Sequence, residues 1–195
     1  MNDPRNPAAL SEQLGDKPAP PALQPVQAFV NTLDVDEGTD LLDDVASARR
    51  WLRGAGLLGS RGSLNRAQLS EVREVRQSLR ALLIHNSGGP APTPAELEPL
   101  RSLAGLRQPQ LCVDSLGRVA LEPAAGADVR DGMLGLLVAI RDAQSDGTWS
   151  RLKICRNSEC LWAFFDRSRN RQGIWCDMAV CGNRLKNRAF RARQR

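Results

Sequence analysis

The first 24 positions mix Pro, Ala, Asn and Gln without apolar periodicity. Such a segment buries too little surface to offset the entropy of ordering, so residues 1–24 are expected to be a flexible lead-in. An apolar stretch with Val26, Phe29, Val30 and Leu33 opens the folded region, and Thr39 or Asp40 is placed to cap a helix. In that helix Leu41, Val45, Ala48 and Leu52 recur at helical spacing, with Leu42 and Trp51 beside them and Gly54 and Gly56 at its end. A second helix opens near Asn65. It carries Leu69, Val72, Val75, Leu79, Leu82 and Leu83 on one stripe and turns Arg73, Glu74, Arg76, Gln77 and Arg80 away. Thr93-Pro94-Ala95-Glu96 is a capping box ahead of a shorter third helix with Leu97, Leu100 and Leu103. Leu111 and Val113, then Val119 and Leu121, alternate with polar neighbours on either side of the turn residues 114–117, the pattern of a β-hairpin. Met133, Leu134, Leu137, Ala139 and Ile140 mark a last helix over 129–143. The fold class is mainly α with a small β-hairpin (α+β): a helix-rich domain over 25–148, then a small cysteine-bearing domain over 149–195 that ends in a basic helix from about Met178.

The chain of 195 residues is 42% hydrophobic and has no internal repeat, which reads as globular. No apolar run suits a signal peptide or approaches the roughly 20 residues that span a bilayer, so a cytoplasmic protein without a membrane partner is expected. That compartment changes how the five cysteines are read, because disulfides are rare there and four of the five crowd into residues 155–181.

Cys155 and Cys160 form one Cys-x4-Cys pair, and Cys176 and Cys181 form a second. Two pairs supply four thiolates, which can close a tetrahedron around one zinc ion with Zn–S distances of about 2.3 Å. An iron–sulfur cluster usually takes more closely spaced cysteines, and a redox role needs only one Cys-x-x-Cys. Four protein thiolates leave no open position for water or substrate, so the ion is structural and no enzyme activity is expected of it. Asn183, Arg156 and Arg184 are candidates to support the sulfurs, while Gly182 suits a tight backbone approach or a positive φ. His85, the only histidine, reads as an exposed ring at a helix end, and Cys112 as a small apolar residue of the hairpin.

Charge is unevenly spread. Residues 151–195 hold twelve Arg and Lys against three acids, a net of +9, while the rest of the chain carries −4. Zinc with four thiolates adds −2 and leaves a formal +7. Within the tail, Arg167, Arg169, Arg171, Arg184, Lys186, Arg188, Arg191, Arg193 and Arg195 are the candidate nucleic-acid contacts. On a helix, Arg184, Arg188, Arg191 and Arg195 share a stripe beside that of Cys181, Leu185, Ala189 and Ala192, a geometry suited to duplex DNA. Trp162, Phe164, Phe165 and Trp175 either stack on single-stranded bases or pack a miniature core around zinc, and the second is the better account of so small a unit. The readings in play are a DNA-binding regulator, a zinc module for RNA or for a protein partner, and an enzyme with its site in the helical domain. No nucleophile, base and orienting group form a known motif for the last.

Cys155, Cys160, Trp175-Cys176 and Cys181-Gly182-Asn183-Arg184, with Phe164-Phe165-Asp166 and Ser168-Arg169-Asn170 between them, resemble the CGNR zinc-finger family of bacterial proteins. Phe29-Val30-Asn31-Thr32-Leu33-Asp34 and Trp51-Leu52 resemble the opening of the helix-rich ABATE domain that precedes this finger in relatives. The resemblance implies that the four cysteines are zinc ligands. It further implies a stress-linked, DNA-binding transcription regulator, with the N-terminal domain sensing a signal. Gln172, Gly173 and Ile174 stand where relatives carry more basic residues, and Phe165 where a tyrosine is common.

Overall fold

The computed structural model describes residues 7–106, 108–122 and 128–183. Six helices build the larger part: α1 Pro7–Leu14, α2 Gln24–Val30, α3 Val45–Gly54, α4 Arg66–Asn86, α5 Pro94–Leu106 and α6 Val129–Ser145. Three antiparallel strand pairs accompany them: β1 Leu33–Asp34 with β2 Thr39–Asp40, β3 Gln110–Val113 with β4 Val119–Glu122, and β5 Leu152–Ile154 with β6 Ala163–Phe165.

Helix starts follow the local chemistry. Asn65 accepts from the Gln68 N–H while the Gln68 side chain accepts from the Asn65 N–H, a reciprocal cap that opens α4. Thr93 and Glu96 make the same exchange at α5. Asp128 caps α6. At 21 residues α4 is the longest helix among the described residues, and it touches α2, α3, α5, α6 and β5. Its stripe of Leu69, Val72, Val75, Leu79 and Leu83 meets Phe29, Leu42, Leu52, Met133 and Leu136 in one core. Gly132 lets α6 lie against the backbone at Leu57, where a Cβ would stand 2.0 Å from the carbonyl oxygen.

Three expectations are corrected. Residues 7–24 are not a loose lead-in: Leu10, Leu14, Ala19 and Leu23 are core residues, and a short 3-10 turn over Pro21–Leu23 leads into α2. The helix expected at Thr39 or Asp40 begins only after Asp44, whose carboxylate accepts from the Ala46 and Ser47 N–H groups. Thr39 and Asp40 instead form β2, because Asp40 is held by a two-pronged contact with Arg76 at 2.6 and 2.7 Å. Arg76 and Arg80 therefore turn inward: Arg76 also donates to the Thr32 hydroxyl, and Arg80 donates to the Leu33 carbonyl. Burial, with Arg76 alongside, pulls the Arg80 guanidinium down to about 10, which leaves it charged at neutral pH.

The β3–β4 hairpin pairs Leu111 with Leu121 and Val113 with Val119, yet Leu111, Val113 and Val119 are largely exposed. The β5–β6 hairpin, by contrast, is built into the helical core. Leu152, Ile154, Ala163 and Phe165 belong to the same cluster as Phe29 and Leu79, so no gap separates residues 25–148 from 149–195. Among the described residues no helix is long and apolar enough to cross a membrane.

Candidate metal centre

Cys155 leaves β5 directly, and the tight turn that follows ends in Cys160. The Cys155 N–H donates to the Trp162 carbonyl, and the N–H groups of Cys160 and Leu161 both donate to the Asn157 carbonyl. Leu161 closes the turn in the left-handed region, at φ 51°. The hairpin tip thereby aims two sulfurs the same way. The second pair comes from a different device. Asp177 caps a five-residue π-type turn, Met178–Gly182, by accepting from the Val180 N–H, and the turn brings Cys181 back over Cys176.

All four sulfurs lie within 4.8 Å of one another. Cys160 and Cys176 are 3.6 Å apart, and Cys176 and Cys181 3.7 Å. A tetrahedron with Zn–S bonds of about 2.3 Å has edges of about 3.8 Å, close to these two separations, so the four sulfurs are already gathered for a zinc ion. The backbone N–H groups of Asn157 and Cys176 point at the Cys155 sulfur and that of Trp162 at the Cys160 sulfur, an arrangement that solvates thiolates. Hydrogen bonds from the Cys160 and Cys176 thiols hold Cys155 far below an ordinary thiol, while Cys155 and then Cys160 push Cys176 up. Thiolates crowded this closely repel one another without a cation between them. A divalent cation removes the conflict by taking all four as thiolates, which makes zinc the structural cofactor of this unit.

Gly182 is a close approach: a Cβ there would stand 2.6 Å from the Met178 sulfur and 3.3 Å from the Trp175 ring. Asn183, expected beside the sulfurs, is exposed, and the side-chain amide directed at a sulfur is that of buried Asn157, 3.9 Å from Cys181. Arg156 is exposed as well, and its backbone N–H bonds the Ile174 carbonyl. Trp162 and Trp175 pack against the cysteines, and Phe164 and Phe165 are buried. His85 is exposed at the end of α4, and Cys112 lies outside the sulfur cluster.

Arg167, Arg169 and Arg171 stand exposed on the loop that follows β6. Its anchor is a buried ion pair that the charge pattern did not single out. The Lys153 ammonium lies 2.8 Å from the Asp166 carboxylate and donates to the Arg171 carbonyl at 2.5 Å. Asp166 also accepts from the N–H groups of Ser168 and Gly173, and a Cβ at Gly173 would strike its carboxylate at 2.6 Å. Burial alone would raise Asp166, but these donors, Lys153 first, hold it well below the usual carboxylate range. Arg167 donates to the Pro18 carbonyl, and among the described residues no carboxylate pairs with Arg167, Arg169 or Arg171. Arg184, Lys186, Arg188, Arg191, Arg193 and Arg195, and with them the expected basic helix beyond residue 183, lie outside the described residues.

Both edges of the β5–β6 hairpin are closed by side chains of the helical part. The Asn31 amide accepts from the Ala163 N–H at 2.7 Å and donates to its carbonyl at 2.9 Å, copying a strand partner. Gln27 adds a bond to the same carbonyl. On the other edge Ser87 accepts from the Ile154 N–H, and Asn86 donates to the Trp149 and Leu152 carbonyls. Lys17 donates to the Trp175 carbonyl with its ammonium over the Phe164 ring. The sequence did hold a signal for Asn31 and Gln27, polar amides inside an otherwise apolar run.

No curated protein matches the chain. Two family profiles do. Residues 151–194 match the CGNR zinc finger, and residues 7–144, more than half of the chain, match the ABATE domain, described as a "Putative stress-induced transcription regulator". With the zinc finger directly after that domain, the chain belongs to the ABATE family of transcription regulators that carry a CGNR zinc finger.

Proposed function

We propose that the protein is a cytoplasmic, non-enzymatic regulator that binds duplex DNA through the basic surface of its zinc finger, and that its helical domain receives the signal. The observation that carries this reading is the exposed trio Arg167, Arg169 and Arg171 on a loop fastened beside the zinc centre by the buried Lys153–Asp166 pair. Guanidinium groups without internal carboxylate partners keep their charge for an external anion, and a fixed loop limits the entropy lost on binding. The family's description supports DNA as that anion. Arg184, Lys186, Arg188, Arg191, Arg193 and Arg195 extend the basic tail in the same reading. The aromatic residues favour duplex over single-stranded nucleic acid, because Phe164 and Phe165 are buried and both tryptophans are committed to the cysteines.

The test is binding of zinc-loaded full chain to duplex DNA across a salt series. Affinity is expected to fall steeply with salt, and each arginine-to-alanine change at 167, 169 or 171 that removes a phosphate contact lowers the slope by about one. Salt-independent binding, or a triple variant with wild-type affinity and slope, overturns the assignment to this loop. Stronger binding to single-stranded RNA than to duplex DNA overturns the choice of partner.

A further inference from the structure

The helical domain holds a cavity of about 550 Å³ among α4, α5 and α6. Its floor is apolar: Val72, Val75, Leu103, Val129 and Met133 line it and are all core residues. The size lies within the range of small-molecule sites. Along α5 only Leu100 and Leu103 are fully buried, and Leu103 forms part of the cavity wall. Within α5, Pro99 offers no N–H to the Ala95 carbonyl, and both residues line the cavity.

The rim decides the ligand. Among the described residues Arg130 is the one cation in the lining, and it is already held: Nε and Nη2 meet both oxygens of Glu71 at 2.8 and 2.7 Å. The Glu74 and Glu98 carboxylates are touched by the hydroxyls of Ser70 at 3.4 Å and Ser102 at 3.2 Å, and among the described residues neither pairs with a cation. Among the described lining residues the polar groups left open to a guest are thus acceptors: two carboxylates and the Ser102 hydroxyl. Glu74 and Glu98 are exposed at the mouth and hydrated when nothing is bound, so a neutral guest gains nothing from them, an anion meets their own sign, and a cation gains their attraction.

We propose that this cavity binds a lipophilic cation, its apolar body on the Val72–Met133 floor and its positive charge beside Glu74 and Glu98. The proposal deepens the sensing role by naming a site and a ligand class, and it rests on that role alone, not on DNA binding. A cation close to two carboxylates also bridges α4 and α5, which carry Glu74 and Glu98 respectively, so binding closes α5 onto α4.

The experiment uses two ions of one shape and opposite charge, tetraphenylphosphonium and tetraphenylborate, titrated calorimetrically into zinc-loaded full chain without DNA. The chain's net charge of +5 favours the anion at long range, so a preference for the cation has to come from the site. Saturable 1:1 binding of the phosphonium is expected, with the borate at least about tenfold weaker. Glu74→Gln with Glu98→Gln should shrink that gap to within about threefold. Ser102→Trp, a change at an exposed rim position, should abolish binding while zinc content and thermal midpoint stay at wild-type values. Equal affinity for the two ions, or phosphonium binding that survives Ser102→Trp, overturns the proposal. Because the titration contains no DNA, its failure leaves the zinc-finger reading standing, and the reverse holds too.

Discussion

Asn31 shows how much one side chain carries. Its amide satisfies the N–H and C=O of Ala163 and the carbonyl of Gln13, with only 2% of its surface exposed. Asn31→Ala strands the Ala163 N–H and the Gln13 carbonyl in the core, while Gln27 keeps the Ala163 carbonyl paired, at about 1–3 kcal/mol for each group left unpaired. A loss of about 2–5 kcal/mol in urea denaturation of the zinc-loaded chain is expected, with faster zinc release to a chelator; an unchanged midpoint would show that water replaces the amide. Lys153 and Asp166 give a prediction with a pH sign. Asp166 is lowered in the folded chain, so its contribution is fully present above the unfolded carboxylate value of about 3.9 and is lost as pH falls through the folded value. Asp166→Asn should therefore be less stable than wild type at pH 7, and the gap should close below about pH 4, read from denaturation at each pH. Lys153→Met tests the opposite partner: leaving Asp166 buried without its ammonium should cost about 3–5 kcal/mol.

Among the elements, those governed by neighbours in sequence were legible. The Asn65–Gln68 and Thr93–Glu96 caps, the β3–β4 hairpin and the paired cysteines all depend on groups a few residues apart. What could not be read depends on distant partners. Asp40 looks like a helix cap until Arg76, 36 residues on, takes its carboxylate. Arg80 belongs to the polar face until the Leu33 carbonyl, 47 residues away, accepts from it. The first segment looks too polar to fold, yet its Leu14 and Lys17 carbonyls accept from Gln27 of α2 and Phe165 of β6, and its Gln13 carbonyl from Asn31. The arginine loop carries a local strain of its own. Arg171 sits at φ 55°, a conformation that costs a non-glycine residue about 1–2 kcal/mol. Arg171→Gly should raise the thermal midpoint relative to Arg171→Ala, while both lower DNA affinity alike, which separates backbone relief from lost charge.

Over the whole molecule, the shared core makes zinc a stabiliser of more than the finger. Leu152, Ile154, Ala163 and Phe165 pack with the helices, and the cysteines hold the hairpin that bears them. Chelation is expected to lower the stability of the α2 and α4 amides together with the finger, in one transition; hydrogen exchange that slows only in the finger on adding zinc would refute this. A chain ending at residue 148 should not reach the native helical packing, seen as a collapsed near-UV dichroism signal. The edge-clamping of β5–β6 has one more consequence, for the order in which the chain is made. Asn31, Gln27 and Lys17 leave the ribosome well before their partners at Ala163, Phe165 and Trp175, which follow by 132 residues for Asn31 and 158 for Lys17. The nascent helical layer therefore waits with an open face, its buried amides still wet, until the β5–β6 hairpin has been synthesised. Native closure and the arrival of the zinc ligands are then events of the same moment.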